Sequence, residues 1–498
     1  MDSLLCDELL QQILQRLPSS SDVNSASLVC KRWLSLRRSY TTSLSLRLPL
    51  PANGSSLSSL LSHYPGLSTL TLISDAPNSD HHLADRALVS VSSVCRNLSH
   101  LRFLVGPVTA SALEQLSSSC KSLLFLKIVA YRSVDFWWLA GFPALRELSV
   151  RFLDYSEDGS SSDPSFDCPG DPGLGLESVC LTGIGSGNVG IDWIWRNCKK
   201  ITKLQLCTCE GIGNPLSDSS FLSMLSGIRE IELITCRSIT RNLLFLVAEH
   251  CRSLDSLVLY DGGDKEALLQ VIKRCRSLRK IDLRLPLDFD DDGLVAIAHS
   301  CSGLRSLCLR SCGLVSGESL RALARDLTSG TLEELVLVNC DALERDPGLL
   351  TLLGQRFKGL RKLDLSYNEA LLDGEVGSML ASGRNLTEIR LGGCKGLTDS
   401  TISSIVNKCS ALQIVDIDHC HKVTAEGVGL LLQIPTLKQI VVEQRKIPPH
   451  VNPNSRIFQQ PGASSCGQSP IWSPTDSAPE CQRRGNRRHA TPILWTDR

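Results

Sequence analysis

The sequence predicts an α/β chain: a short helical element over residues 1–42, then a solenoid of stacked strand–helix units over 43–443. Three observations lead there. An apolar motif of the form L-x-x-L-x-L recurs fifteen times, from LSTLTL (67–72) to LKQIVV (437–442). Its copies lie about 26 residues apart on average, the spacing of a repeat architecture. The segments between them, such as LTDSTISSIVNKC (397–409), carry apolar residues at i, i+3 and i+4 behind a capping residue.

Each element follows from local pattern. The last two apolar positions of every motif alternate, which is the two-residue period of a strand. Caps are expected at Thr240, Asp264, Asp290, Ser316, Thr398 and Thr424, each just ahead of a helical stretch. One strand and one helix cannot bury their own apolar faces, but stacked copies can. The result is a leucine-rich-repeat horseshoe with a parallel concave sheet and helices on the convex side. Cysteine precedes the motif in seven units (Cys95, Cys120, Cys198, Cys251, Cys275, Cys301, Cys409). It follows the motif at Cys209, Cys236, Cys312, Cys340, Cys394 and Cys420, with Asn368 in the same register. A small side chain able to hydrogen-bond backbone suits the tight turn leaving each strand. CSGLRSLCLRSC (301–312) resembles the motif of the cysteine-containing, plant-like class of these repeats.

Two segments break the period. YSEDGSSSDPSFDCPGDPGLG (155–175) is rich in Ser, Gly, Asp and Pro and is expected to be a mobile loop. The tail 444–498 has no periodicity and is expected to be disordered; its RRGNRR (483–488) is a weak nuclear-import pattern. Phe136, Trp137, Trp138, Trp193 and Trp195 flank the first break and are expected to fill space where a regular helix is missing.

Composition narrows the function classes. Lys+Arg and Asp+Glu balance at 52 each, so no global field favours nucleic acid or a membrane surface. No stretch approaches the length of a membrane span; Lys127 interrupts LLFLKIVA. The acidic N-terminus (Asp2, Asp7, Glu8) is unlike a secretory leader, so the 21 cysteines are expected as free thiols in the nucleus and/or cytoplasm. DFDDDG (288–293) lacks the closing Glu of a calcium loop and reads as a helix N-terminus. Cys207–Cys209 and His419–Cys420–His421 are the best metal candidates by type, but no C-x-x-C occurs and no metal or cofactor is expected. No phosphate-binding loop or thiol-nucleophile signature is present, so catalysis by this chain is not expected.

The opening stretch carries the functional signal. Leu5, Leu9, Ile13 and Leu17 form an apolar stripe, widened by Leu10 and Leu14; Pro18 ends that helix. Asp22 is then expected to cap a second helix with Ala26, Val29 and Trp33 on one face. LCDELLQQILQRLP followed by SLVCKRW resembles an F-box, with Cys6 where that motif usually has proline. Together with the repeats, the chain resembles the F-box/leucine-rich-repeat proteins. That resemblance implies a substrate receptor of an SCF cullin–RING ubiquitin ligase, in which the F-box docks a Skp-family adaptor and the solenoid binds a target protein. It maps adaptor contacts onto Leu5, Leu9, Ile13, Leu14, Leu17, Leu28, Val29, Cys30 and Trp33. On the concave face the column after each motif reads Tyr260, Arg284, Arg310, the side-chain types of binding hot spots, and these are the candidate substrate contacts. The alternative is a ligase-independent binding scaffold whose hairpin only caps the solenoid, its leucine stripe buried.

Overall fold

The computed structural model describes residues 5–17, 25–48, 54–74, 81–153, 174–185, 190–212, 219–286, 288–327, 330–448 and 457–459. All but the last two residues of the expected loop 155–175, the Asp22 cap and nearly all of the tail lie outside them. The chain divides into two compact units, Met1–Leu304 and Arg305–Arg498.

The first unit begins with two helices, α1 (Asp7–Gln15) and α2 (Lys31–Tyr40). The second helix of the sequence reading is interrupted. Ser25–Ser27 is helical, Leu28 and Val29 form a turn, and Cys30 is the extended N-cap of α2. Val29 and Trp33 therefore do not share a helix face. From α2 the chain passes directly into a strand, β1 (Ser43–Leu48), which pairs in parallel with β2 (Thr69–Ser74). The motif search missed β1 because SLSLRL lacks the leading L-x-x-L. Gly66 lets the two approach: a Cβ there would sit 2.8 Å from the carbonyl oxygen of Ser39. Parallel strands continue to Lys280–Arg284, and apart from Ser178–Thr182 each follows a described helix or 3-10 turn. Where the regular helix is missing, Trp137–Gly141 forms a 3-10 turn. Phe136 and Trp138 are buried there, and the Trp138 ring stands edge-on to Phe142 at 5.9 Å. Trp195 is equally buried, against Phe221 at 5.3 Å, and its indole N–H donates to Ile212 O at 3.3 Å.

The second unit repeats the scheme from Ser306–Arg310 to Gln439–Val441, again with every paired strand parallel. It adds a short strand, Phe458–Gln459, on Gln439–Val441. The expectation of a disordered tail therefore fails at these residues, because the exposed edge of the preceding strand offers them backbone partners.

Stacking is reinforced by the turn that leaves each strand. One residue there adopts a left-handed conformation: Thr208, Thr235, Asp261 and Leu285 in the first unit, and Ser311, Asn339, Tyr367 and His419 in the second. In several repeats the residue after such a left-handed position, which is Gly393 ahead of Cys394, is a cysteine or Asn368 that turns inward and bonds the neighbouring repeat. Cys236 donates its thiol to Leu206 O (3.3 Å), Cys394 to Leu365 O (3.1 Å) and Cys420 to Leu391 O (3.0 Å). The second column does the same, with Cys120 on Cys95 O (3.2 Å) and Cys251 on Leu225 O (2.9 Å). Burial pushes the Cys120 thiol up to about 11 and the Cys251 and Cys394 thiols up to about 12, so these are inert donors.

Helix starts are linked from repeat to repeat as well. The Thr398 hydroxyl accepts from Ser400 N–H while donating to Asp373 of the preceding repeat at 2.7 Å; Asp373 also takes Thr398 N–H and the Thr401 hydroxyl. Asp399 repeats this on Thr424, and Asp85 on Thr109. Asp264, Ser316 and Thr424 cap as expected. Two expected caps differ. Thr240 lies inside a helix, Arg237–His250, and donates to Cys236 O. Asp290 stands at the N-cap position without a capping bond, because its carboxylate pairs with Lys265 at 2.5 Å instead.

Asn368 replaces cysteine in its column with a fuller set of bonds. Its Oδ1 accepts from Cys340 N–H, and its Nδ2 donates to Leu337 O and Leu365 O, each at 2.8 Å. Substituting Asn368→Ala leaves these buried groups unpaired and is expected to cost about 2–4 kcal/mol. Asn368→Cys keeps one donor and should cost less than the alanine. Urea unfolding of the three proteins measures the difference.

Candidate functional site

Two surfaces fit the sequence expectations. The first is the face presented by α1 and the following turn. Arg32 of α2 holds it together, donating to the Asp7 carboxylate at 2.6 Å and to Leu5 O at 2.7 Å. Arg37 donates to Ser27 Oγ at 2.7 Å, which fixes the segment ahead of α2. With that geometry the leucines of α1 divide. Leu10 and Leu14 point inward and are buried, at 1% and 3% exposed. Leu9 (50%) and Ile13 (48%) stay open, and the turn adds Leu28 (86%) and Val29 (62%). Leu5, Leu17, Cys30 and Trp33 are half-buried. Leu14 is thus buried in the hairpin's own packing, like Leu10. Leu9 and Leu10 differ by one helical step, about 100°, and an all-leucine stripe could not show which would face in.

The second surface is the sheet face opposite the helices. In the first unit Lys127, Ser149, Cys180, Gln205, Glu232, Val258 and Asp282 form one register row across seven strands. On an isolated strand such positions would face solvent. Instead every one is buried, because strands so closely spaced let neighbouring side chains shield one another. Gln205 donates to Glu232 at 2.6 Å, and burial raises the Glu232 carboxyl above its ordinary value. Tyr260 and Arg284 are register partners in the next row. Tyr260 is 38% exposed, while Arg284 is turned onto Asp282 through two bonds of 2.9 and 3.1 Å.

In the second unit the equivalent row reads Cys308, Val336, Asp364, Arg390, Asp416 and Val441. Arg310 lies 3.5 Å from Asp364, Arg390 donates to Glu388 at 2.6 Å, and burial pushes the Asp416 carboxyl up to about 6. Cys308, Val336 and Val338 make a small apolar cluster with Tyr367 packed on it. The sequence reading missed Tyr367 and Val338, which flank the motif without breaking its leucine pattern. Both expected guanidiniums therefore sit beside a carboxylate of their own unit, and the face offers paired charges beside an aromatic.

Comparison with known proteins bears on the N-terminal helices and on the fold. The F-box family, described as an F-box domain, matches residues 3–36. F-box protein FBX14 of Arabidopsis thaliana is 25% identical over 258 residues, 49% of this chain and 41% of that protein. A transport inhibitor response 1-like protein of Oryza sativa subsp. japonica is 25% identical over 271 residues, 50% of this chain and 46% of that one. The chain thus spans less than half the length of these relatives. Among solved structures, that of the Rad7 and Elc1 complex in yeast matches with a TM-score of 0.50 at 16% identity, covering 78% of this chain and 92% of that one; the likeness is one of fold. An F-box domain stands at the N-terminus, and relatives of the chain are F-box/leucine-rich-repeat proteins. No described helix is long and apolar enough to cross a membrane.

The buried row gives a pH prediction. Glu232 holds its proton to higher pH when folded than when unfolded, so its burial penalty appears as pH rises past 4.5 and is full above its raised value. Glu232→Gln is expected to raise the denaturation midpoint at neutral pH and to change little at acid pH. Equilibrium unfolding of both proteins at the two pH values checks the sign.

Proposed function

We infer that this chain is a substrate-recognition subunit of an SCF-type cullin–RING ubiquitin ligase, with its N-terminal face docking a Skp-family adaptor and its sheet face holding a target protein. The observation that carries the reading is the exposure of Leu9, Ile13, Leu28 and Val29 together on a hairpin whose Leu10 and Leu14 are already satisfied. A Leu, Ile or Val side chain gains about 1.5–3 kcal/mol on full burial, and these four are open or half-open, so a partner groove has several kcal/mol to collect. A hairpin serving only as a cap would have buried that stripe, which speaks against the ligase-independent scaffold.

The chain itself performs no chemistry in this reading. It raises the local concentration of a target lysine at a ubiquitin-charged conjugating enzyme, and the rate follows from proximity. Tyr260 with Arg284 in the first unit, and Arg310 and Tyr367 in the second, supply the target contacts. Since the guanidiniums are paired with Asp282 and Asp364, a target gains by adding bonds to existing pairs, which favours selectivity over raw affinity. The setting is the nucleus and/or cytoplasm, where the ligase machinery works.

The test is capture of purified Skp-family adaptor by the full chain. The wild type should retain it. A Leu9→Asp, Ile13→Asp variant should lose at least about tenfold in affinity, since each charge would have to be buried unpaired. Circular dichroism should show both proteins equally folded. Failure of the folded wild type to capture adaptor overturns the reading.

A further inference from the structure

Four side chains that the docking surfaces do not use converge at one end of the second unit. The turn leaving the strand Ile414–Asp416 carries Asp418, His419 and His421, while Cys420 between them points inward to Leu391 O. The neighbouring strand, Gln439–Val441, delivers Glu443 to the same place. His419 Nε2 lies 3.3 Å from Asp418 Oδ2, and its Nδ1 lies 3.7 Å from Glu443 Oε1. His421 Nδ1 lies 3.5 Å from the same Glu443 oxygen. One donor atom each from Asp418, His419 and Glu443 falls within 4.8 Å of the others.

We propose that Asp418, His419 and Glu443, with His421 as a fourth donor, bind a divalent transition-metal ion of the zinc class. Bonds of about 2.0–2.2 Å in a tetrahedron place neighbouring donors about 3.3–3.6 Å apart; with one donor atom each, Asp418, His419 and Glu443 are already within 4.8 Å of one another, and His421 Nδ1 is 3.5 Å from Glu443. The two imidazoles are about half exposed, so the His419 ring can turn to offer one nitrogen, while both carboxylates are only 14% exposed. The second oxygen of Asp418, Oδ1, is buried without a hydrogen-bond partner. The Lys446 ammonium lies 3.9 Å from Glu443 Oε1 and donates to Cys420 O at 2.6 Å. The carboxylates of Asp418 and Glu443 are hard anionic donors of the kind a dication takes. A nitrogen–oxygen donor set without thiolate suits zinc, nickel or copper rather than calcium.

A bound ion would tie the turn of one repeat to the segment after the next strand. The turn's left-handed residue is His419 itself, at φ 56°. Metal and stack would thereby be coupled, and the ion would add to the stability of this end of the second unit.

The experiment is titration of the untagged, chelator-stripped full chain with Zn2+ by calorimetry and with Co2+ by absorption. One ion per chain is expected, with a cobalt spectrum free of thiolate charge transfer and a rise in thermal midpoint on adding zinc. His421→Gln and Glu443→Gln should each weaken binding at least about tenfold with unchanged circular dichroism. His421 is half exposed, so its substitution leaves packing intact even if Glu443→Gln disturbs it. No binding by the wild type, a thiolate band, or full affinity in His421→Gln overturns the proposal.

Discussion

A strand and a helix drawn from about 26 residues cannot close a core alone, and the structure of each unit follows from that deficit. Strands take their backbone partners from adjacent repeats, and so do many of the side chains that hold the turns. The thiol of Cys394 reaches Leu365 O, and the carboxylate of Asp373 reaches the cap at Thr398. These are modest bonds, each about 0.5–1.5 kcal/mol. They matter because they recur in register and fix the rise from one repeat to the next.

The same stacking decides what the sheet face can offer. Side chains that would be solvated on an isolated strand shield each other when parallel strands lie side by side. Asp282 and Asp364 are therefore buried and hold Arg284 and Arg310. A surface built this way is stiff. Its charges are already oriented by neighbours, so anything bound there would cost little ordering entropy on the protein side.

Much of this was legible in the sequence, because leucine spacing, strand alternation and the cysteine columns all report the same period. Fifteen motifs mark fifteen strands. What escaped was whatever the period does not encode. The strand Ser43–Leu48 lacks the motif's first leucine, and Phe458–Gln459 is too short to carry a pattern. Thr240 looks like a cap because the helix reaching back to Arg237 begins with polar residues. The division of α1 into a buried Leu10–Leu14 pair and an open Leu9–Ile13 pair depends on a rotation that leucine alone does not specify. His419 and Glu443 meet only because two successive turns are superimposed.

The open apolar face of the N-terminal hairpin has a consequence for the free protein. Leu28 and Val29 stand almost unprotected beside Leu9 and Ile13, so the uncomplexed chain carries a sticky patch of the kind that seeds self-association. Its solubility, and with it the lifetime of the chain before assembly, would then depend on how promptly that patch is covered. Abundance would be set by encounter with a partner as much as by synthesis.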